Sequence, residues 1–231
     1  MIAIDPLVIV AGHSVQNRPI GLYLFNADEN LTLDTLFVGV VHGDEGISGQ
    51  LMGQLLGGLS KGECTIPDNK PVGIIQQLNP DGLATNTRVN ANGVDLNRNC
   101  PTQTWTSEHE SPDYNPGPYA GSEPETQVLI SAVEKYQPKK IITVHSPYKV
   151  LNFNGEQSRP LAEAMAKKSG YPVVEDIGYS TPGSMGTYFG KERNFLMVTL
   201  ELPPCEPDEG WEPLDKVWQD NCESLLAAIA F

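Results

Sequence analysis

Three apolar runs in this chain each end on a side chain that can bind a metal or move a proton. Leu36-Phe37-Val38-Gly39-Val40-Val41 leads into His42-Gly43-Asp44-Glu45, Ile141-Ile142-Thr143-Val144 into His145, and Phe195 to Leu200 into Glu201. Short apolar runs bounded by turn residues read as buried strands. A mostly parallel sheet brings such strand ends to one edge, where open α/β sheets keep their sites. The pattern therefore calls for an α/β chain whose chemistry sits along that edge.

A histidine and a carboxylate three apart, just past a strand, can turn onto one point. Two ligands from one turn need a third from elsewhere, and the chain has four histidines. His13 lies in a polar hairpin-like stretch and His109 in a long loop rich in Pro, Gly and Glu. His145 alone repeats the strand-then-histidine order. Two His, one Glu and an open fourth position are the ligand set of catalytic zinc. One zinc per chain, held by His42, Glu45 and His145, is thus expected, although an isolated H-x-x-E also occurs on ordinary surface turns. Glu201 ends its strand before two prolines, a position from which a carboxylate can take a proton from water and pass it to a leaving amine. An acidic residue at a strand end needs no such role.

The formal net charge is −14. A chain this acidic lacks the basic face that nucleic acid demands, and it does not suit an anionic membrane. An acidic substrate remains compatible if a few arginines are focused in the site. Met1-Ile2-Ala3-Ile4-Asp5-Pro6 has neither the basic region nor the apolar run of a signal peptide, and no stretch is long enough to span a bilayer. Cys64, Cys100, Cys205 and Cys222 form no C-x-x-C pair and read as reduced thiols. A cytoplasmic location is the expectation; the oligomeric state is open.

Strands are expected over Leu7 to Ala11, Ile20 to Phe25, Leu33 to Val41, Lys70 to Leu78, Lys140 to Val144, Tyr171 to Ile177 and Phe195 to Leu200. Helices are expected over Ile47 to Leu59, Ser122 to Tyr136, Pro160 to Ser169 and Pro213 to Ala230, with a short one in Gly183 to Lys191. Asn79-Pro80-Asp81-Gly82 is a turn signal, and Ser122-x-x-Glu125 reads as a capping box. Cys100 to Gly121 is an irregular loop of a length that is usually functional or mobile. Alternating strands and helices, without repeat or linker, predict one domain over residues 1–231: a three-layer α/β sandwich around a mixed, mostly parallel sheet.

The densest polar stretch runs from Thr87 to Asn99, with two arginines ten apart and four asparagines and an aspartate among them. Arginine's planar fork suits carboxylates and oxyanions. Here the chain resembles the zinc metallocarboxypeptidase family, that of carboxypeptidase A. His42-Gly43-Asp44-Glu45 looks like its zinc pair and His145 like its third ligand. Arg88 matches the arginine that polarises the scissile carbonyl. Gly93-Val94-Asp95-Leu96-Asn97-Arg98-Asn99 is similar to the run whose Asn97–Arg98 pair binds a substrate's terminal carboxylate. Glu201 matches the general base, and Tyr179 the mobile tyrosine, with the spacing to the following Gly-Ser differing by one residue. Asn79-Pro80-Asp81-Gly82, Gly121-Ser122-Glu123-Pro124-Glu125 and Gly178-Tyr179-Ser180-Thr181-Pro182-Gly183-Ser184 resemble its murein peptide amidase branch. His145-Ser146-Pro147 departs from that branch's His-Asp-Pro.

The resemblance implies a cytoplasmic bacterial enzyme of cell-wall recycling. Its substrate would be a small peptide with a free terminal carboxylate, cut at the γ-D-glutamyl–diaminopimelate amide. An ordinary carboxypeptidase acting on α-linked peptides would use every one of these residues. A deacylase of the aspartoacylase type would share H-x-x-E and the late histidine, but not the complete Gly93-to-Asn99 run. A catalytically dead peptide-binding module would typically have lost a ligand or the base, and none is missing.

Overall fold

A computed structural model describes residues 5–28, 31–204 and 212–231. Cys205 and the first four residues, read above for redox state and for a signal sequence, lie outside the described residues. The strands are β1 (Leu7–His13), β2 (Pro19–Phe25), β3 (Thr35–Val38), β4 (Val72–Ile75), β5 (Lys140–His145), β6 (Val150–Phe153), β7 (Val173–Val174) and β8 (Leu196–Glu201). The helices are α1 (Gly46–Lys61), α2 (Pro80–Thr85), α3 (Pro124–Tyr136), α4 (Arg159–Ser169) and α5 (Leu214–Ala230).

The strands form one eight-stranded sheet in the order β1-β2-β4-β3-β5-β8-β6-β7. Its centre, β4-β3-β5-β8, is parallel, whereas β1, β2 and β6 join antiparallel. Every residue of β3, β4 and β5 is buried, as expected where helices cover both faces. Leu51, Leu55, Leu161, Met165, Leu225 and Ile229 pack α1, α4 and α5 on one face. Leu129, Val133, Met185 and Phe189 pack α3 and the segment beyond residue 183 on the other. The result is the three-layer mixed α/β sandwich that the alternation predicts. The connection from β3 leads to β4 on one side, and β5 returns on the other side of β3. A crevice opens at that reversal, beyond the C-terminal ends of β3 and β5.

Several elements differ from the sequence-based expectation. β6 lies outside the expected strands, because its Asn152 interrupts the apolar pattern. Asn79 does not start a simple turn but caps α2, its Oδ1 accepting the Gly82 amide at 2.9 Å, with Pro80 in the first helical turn. The Ser122–Glu125 capping box does not form. Ser122 Oγ donates to Glu123 Oε1, and Glu125 instead accepts from the Val15 amide and Asn90 Nδ2. Long-range partners outcompeted the local cap. The short helix near Gly183 is a π-helix over Gly186–Glu192. The loop from Cys100 to Gly121 holds a single 3₁₀ turn, Pro112–Tyr114.

Candidate active site

The chain leaves β3 through a sharp change of direction. Val40 takes a left-handed backbone, φ 47°, which a β-branched side chain adopts only under constraint. Ser48 Oγ accepts its amide at 2.9 Å, and its carbonyl accepts the Asn79 amide at 2.8 Å. This kink ends the strand early and sends His42 back over the sheet edge. Gly43 then touches the start of α2 so closely that a Cβ would lie 2.0 Å from the Gly82 carbonyl carbon. Only glycine fits between the two backbones.

His42, Glu45 and His145 converge, with one ligand-type atom from each lying within 4.8 Å of the others. His42 Nδ1 is 2.8 Å from Glu45 Oε1 and 3.2 Å from His145 Nδ1, which is 3.0 Å from Glu45 Oε2. All three side chains are buried. The second nitrogen of His42, Nε2, lies 3.0 Å from Asp95 Oδ1. A carboxylate can only accept there, so Nε2 donates to Asp95, and a cation held by the cluster would take Nδ1 as its ligand. Burial works to lower His42, but Glu45 and Asp95 outweigh it and raise the imidazole to about 9. Burial likewise opposes ionisation of Glu45, yet His42 and His145 bring it down to about 2. The same negative surroundings favour a cation at the centre, and two imidazole nitrogens with one carboxylate are the donor set that zinc takes. The residues fit the metal.

Asp95 is fully buried and serves two residues at once. Its Oδ2 accepts from Arg88 Nε at 3.1 Å and from a terminal Arg88 nitrogen at 2.9 Å. Burial works to push its pKa up, but His42 and then Arg88 hold it well below the ordinary carboxylate range. Asp95→Asn keeps the shape and removes the charge that orients His42. Zinc affinity should fall about 10–100-fold, as for other ligand-supporting carboxylates. Competition against a chelator measures this directly; unchanged affinity would remove Asp95 from the role.

The other candidates line the same cleft. Arg88, Asn97, Arg98, Tyr179 and Glu201 share it with His42, Glu45 and His145. Glu201 pairs with His145 across the parallel β5–β8 register, which is why two strand ends meet here. It is 5% exposed, and its Oε2 has no hydrogen-bond partner. Burial raises its carboxyl above the usual range, with His145 acting in the opposite direction. Asn97 commits Oδ1 to the Met185 amide at 2.9 Å. Arg98, 5% exposed, bonds the Asn97 carbonyl at 2.8 Å. Tyr179 stands at the mouth, half exposed, with its ring 6.4 Å from that of Tyr148. Burial, then the neighbouring Tyr148, pushes its hydroxyl up to about 12. His13 and His109 take no part among these residues.

Two residues of the site carry no role in the sequence analysis. Asp95 lies inside the Gly93-to-Asn99 run, where an Asp at the start of a 3₁₀ turn marks a cap. Tyr114 comes from the long loop, and nothing local signals it. Its ring lies 5.2 Å from the Arg88 guanidinium and 5.4 Å from that of Arg98. One aromatic ring thus lies beside both arginines, which gives the loop from Cys100 to Gly121 a place in the site.

A family model for zinc carboxypeptidases matches residues 7–224. The chain is 35% identical over 209 residues to murein peptide amidase A of Vibrio campbellii, covering 85% of this chain and 79% of that protein. Its identity to murein peptide amidase A of Escherichia coli K12 is 32%, covering 77% and 74%. The crystal structure of the murein-tripeptide amidase of Escherichia coli O157 superimposes with a TM-score of 0.78 at 26% identity, over 100% of this chain and 98% of that one. The carboxypeptidase A of Helicoverpa armigera shares the fold at 19% identity and TM-score 0.78. With this match along nearly its whole length, the chain belongs to the zinc carboxypeptidase family and is a hydrolase of the metallopeptidase and amidase kind.

Proposed function

We propose that the protein hydrolyses the γ-D-glutamyl–meso-diaminopimelate amide of free murein tripeptide, as one zinc carboxypeptidase/amidase domain acting in cytoplasmic cell-wall recycling. The likeness to murein peptide amidases supports this reading, and one observation carries it: a three-ligand cluster shares its cleft with Glu201 and two arginines. Among the described residues no helix is long and apolar enough to cross a membrane.

His42, Glu45 and His145 would hold one zinc, which supplies Lewis-acid activation of water and of the amide carbonyl. Arg98 and Asn97 bind the carboxylate of the departing residue and so fix which amide reaches the His42–Glu45–His145 cluster. Arg88 donates to the carbonyl oxygen as negative charge builds on it, an interaction strongest in the transition state. Glu201 takes a proton from the attacking water. The water oxygen bonds to the carbonyl carbon, the C–N bond breaks, and Glu201 returns the proton to the leaving amine. Tyr179 and Tyr148 border the entrance.

The test is mass spectrometry of products from matched α- and γ-linked peptides. Release of diaminopimelate from L-Ala–γ-D-Glu–meso-diaminopimelate should exceed release of terminal residues from α-linked peptides. The reverse order would replace this reading with a plain carboxypeptidase. Arg98→Ala should raise KM by about 10–100-fold, the value of a charge-assisted contact. Amidating the substrate's terminal carboxylate should have the same effect on wild type and little further effect on the variant. Additive losses would place the carboxylate elsewhere.

A further inference from the structure

Two of the four cysteines, 158 residues apart in the chain, meet with their sulfurs 3.8 Å from each other. Cys64 follows α1. Gly62 ends that helix in a left-handed backbone, its amide bonded to the Leu59 carbonyl. The chain then doubles back, and the Cys64 amide donates to the Gly58 carbonyl at 2.9 Å. This return lays the Cys64 sulfur on α1 itself. A Cβ at position 58 would lie 2.7 Å from it, so glycine there leaves the room that the thiol occupies. Cys222 comes from α5, on the same face of the sheet. Cys64 is buried in the apolar layer that holds Leu59, Ile66 and Leu225, and half-buried Cys222 packs against that layer. Cys100 is sealed in the opposite layer.

Either sulfur alone would be ordinary apolar packing; the contact between the two is what points to a bond. Their surroundings make them slow to react. Burial pushes the Cys64 thiol up, with the contact from Cys222 opposing it. Burial, then Cys64, pushes Cys222 up to about 12. Glu63 and Glu223 add negative charge beside Cys64. The thiolate is the nucleophile in disulfide exchange, and catalytic thiols have lowered pKa values. This pair is therefore suited to a lasting structural link and not to redox catalysis.

We propose that Cys64 and Cys222 form a modification site, which a small-molecule disulfide such as oxidised glutathione closes into a bond that staples α5 to the far end of α1. Cys222, the more accessible of the two, loses its proton to water and attacks one sulfur of the reagent. A mixed disulfide forms and one small thiolate leaves. Cys64, as thiolate, attacks the Cys222 sulfur and expels the second small thiolate. Two protein thiols are oxidised to one disulfide, the reagent is reduced to two thiols, and the protons of the cysteines end on those products. The sulfurs must approach by roughly 1.8 Å to reach bonding distance. The loop so closed contains β4 to β8, and a link across so long a loop removes much freedom from the unfolded chain. Helix α1 has 16 residues, which puts the staple roughly 24 Å along the helix from Glu45 at its start.

The experiment takes the purified full chain, supplied with zinc, and incubates it with excess oxidised glutathione in mildly alkaline buffer. Once the reagent is removed, free thiols are alkylated and the peptides mapped by mass spectrometry beside a thermal melt. A Cys64–Cys222 cross-linked peptide should appear, and Tm should rise by about 5–10 °C and fall back on reduction. Cys222→Ser should show neither the cross-link nor the rise. Glutathione retained on Cys222 with Cys64 still free would overturn the proposal, as would both thiols left unreacted or a cross-link to Cys100 or Cys205 instead. A Cys64–Cys222 bond that leaves Tm unchanged or lower would also overturn it, because the link would then not act as a staple. The wild-type map and melt decide the matter even if the variant fails to fold.

Discussion

Replacing Glu201 with glutamine should lower kcat by about 10²–10⁴-fold, the usual contribution of a general acid–base group, with zinc still bound. The substitution keeps volume and hydrogen-bonding shape but cannot accept a proton. Glu201 is suited to the task by its surroundings. It is nearly buried, one oxygen lacks a partner, and burial raises its proton affinity toward the range useful for transfer. It is not one of the three converging ligand side chains, so metal content should be unchanged. KM should change little, because the lost proton transfer belongs to the transition state. Stopped assays with the tripeptide, run beside metal analysis, measure both quantities. A kcat within a few-fold of wild type excludes Glu201 as the base, and a parallel loss of zinc would make it a structural support of the cluster.

Asp34→Asn should destabilise the protein by about 3 kcal/mol, with zinc affinity unchanged. Asp34 and Lys140 begin the neighbourhood of β3 and β5 at the end of the sheet opposite the cleft. Both are buried, and Lys140 Nζ lies 2.5 Å from Asp34 Oδ2 and 3.2 Å from the Ile229 carbonyl. Lys70 and Lys139 approach Asp34 Oδ1 at 3.3 and 3.6 Å. One carboxylate thus answers three ammonium groups. Removing one partner of a buried pair costs about 3–5 kcal/mol, and the lower value applies because Lys139 is well exposed and can turn to water. Burial alone would raise the Asp34 carboxyl, but Lys140 and then Lys70 lower it overall. The stability it supplies is therefore complete above the unfolded carboxylate value of about 4 and is lost as pH falls through the lower folded value. The gap in urea midpoint between wild type and variant should stay wide from neutral pH to about pH 4 and narrow below it. A midpoint equal to wild type at pH 7 would contradict the account.

The chemistry was legible in the sequence because it sits where the strand pattern stops. His42, His145 and Glu201 each follow an apolar run, and parallel strands of one sheet must bring such ends to one edge. The arginines of the Thr87–Asn99 stretch were visible as a concentration of polar groups, and their meaning came from family resemblance. Element boundaries were less readable. Val40 belongs by composition to a strand, but contacts from Ser48 and Asn79 bend it out of one. The Ser122–Glu125 motif satisfies a local rule, yet Glu125 is drawn to Asn90 and the Val15 amide, partners that exist only once the chain is folded. Asn152 breaks the apolar signal of β6 because it lines the cleft.

By itself, then, the sequence determined the α/β class and singled out the candidate ligands and the candidate base, since these depend on periodicity and residue type along the chain. Only tertiary structure decided that Asp95 bridges His42 to Arg88 and that Tyr114 lies against two arginines. Each of those depends on distances between residues far apart in sequence, brought together by sheet order and loop path, which local preferences do not encode.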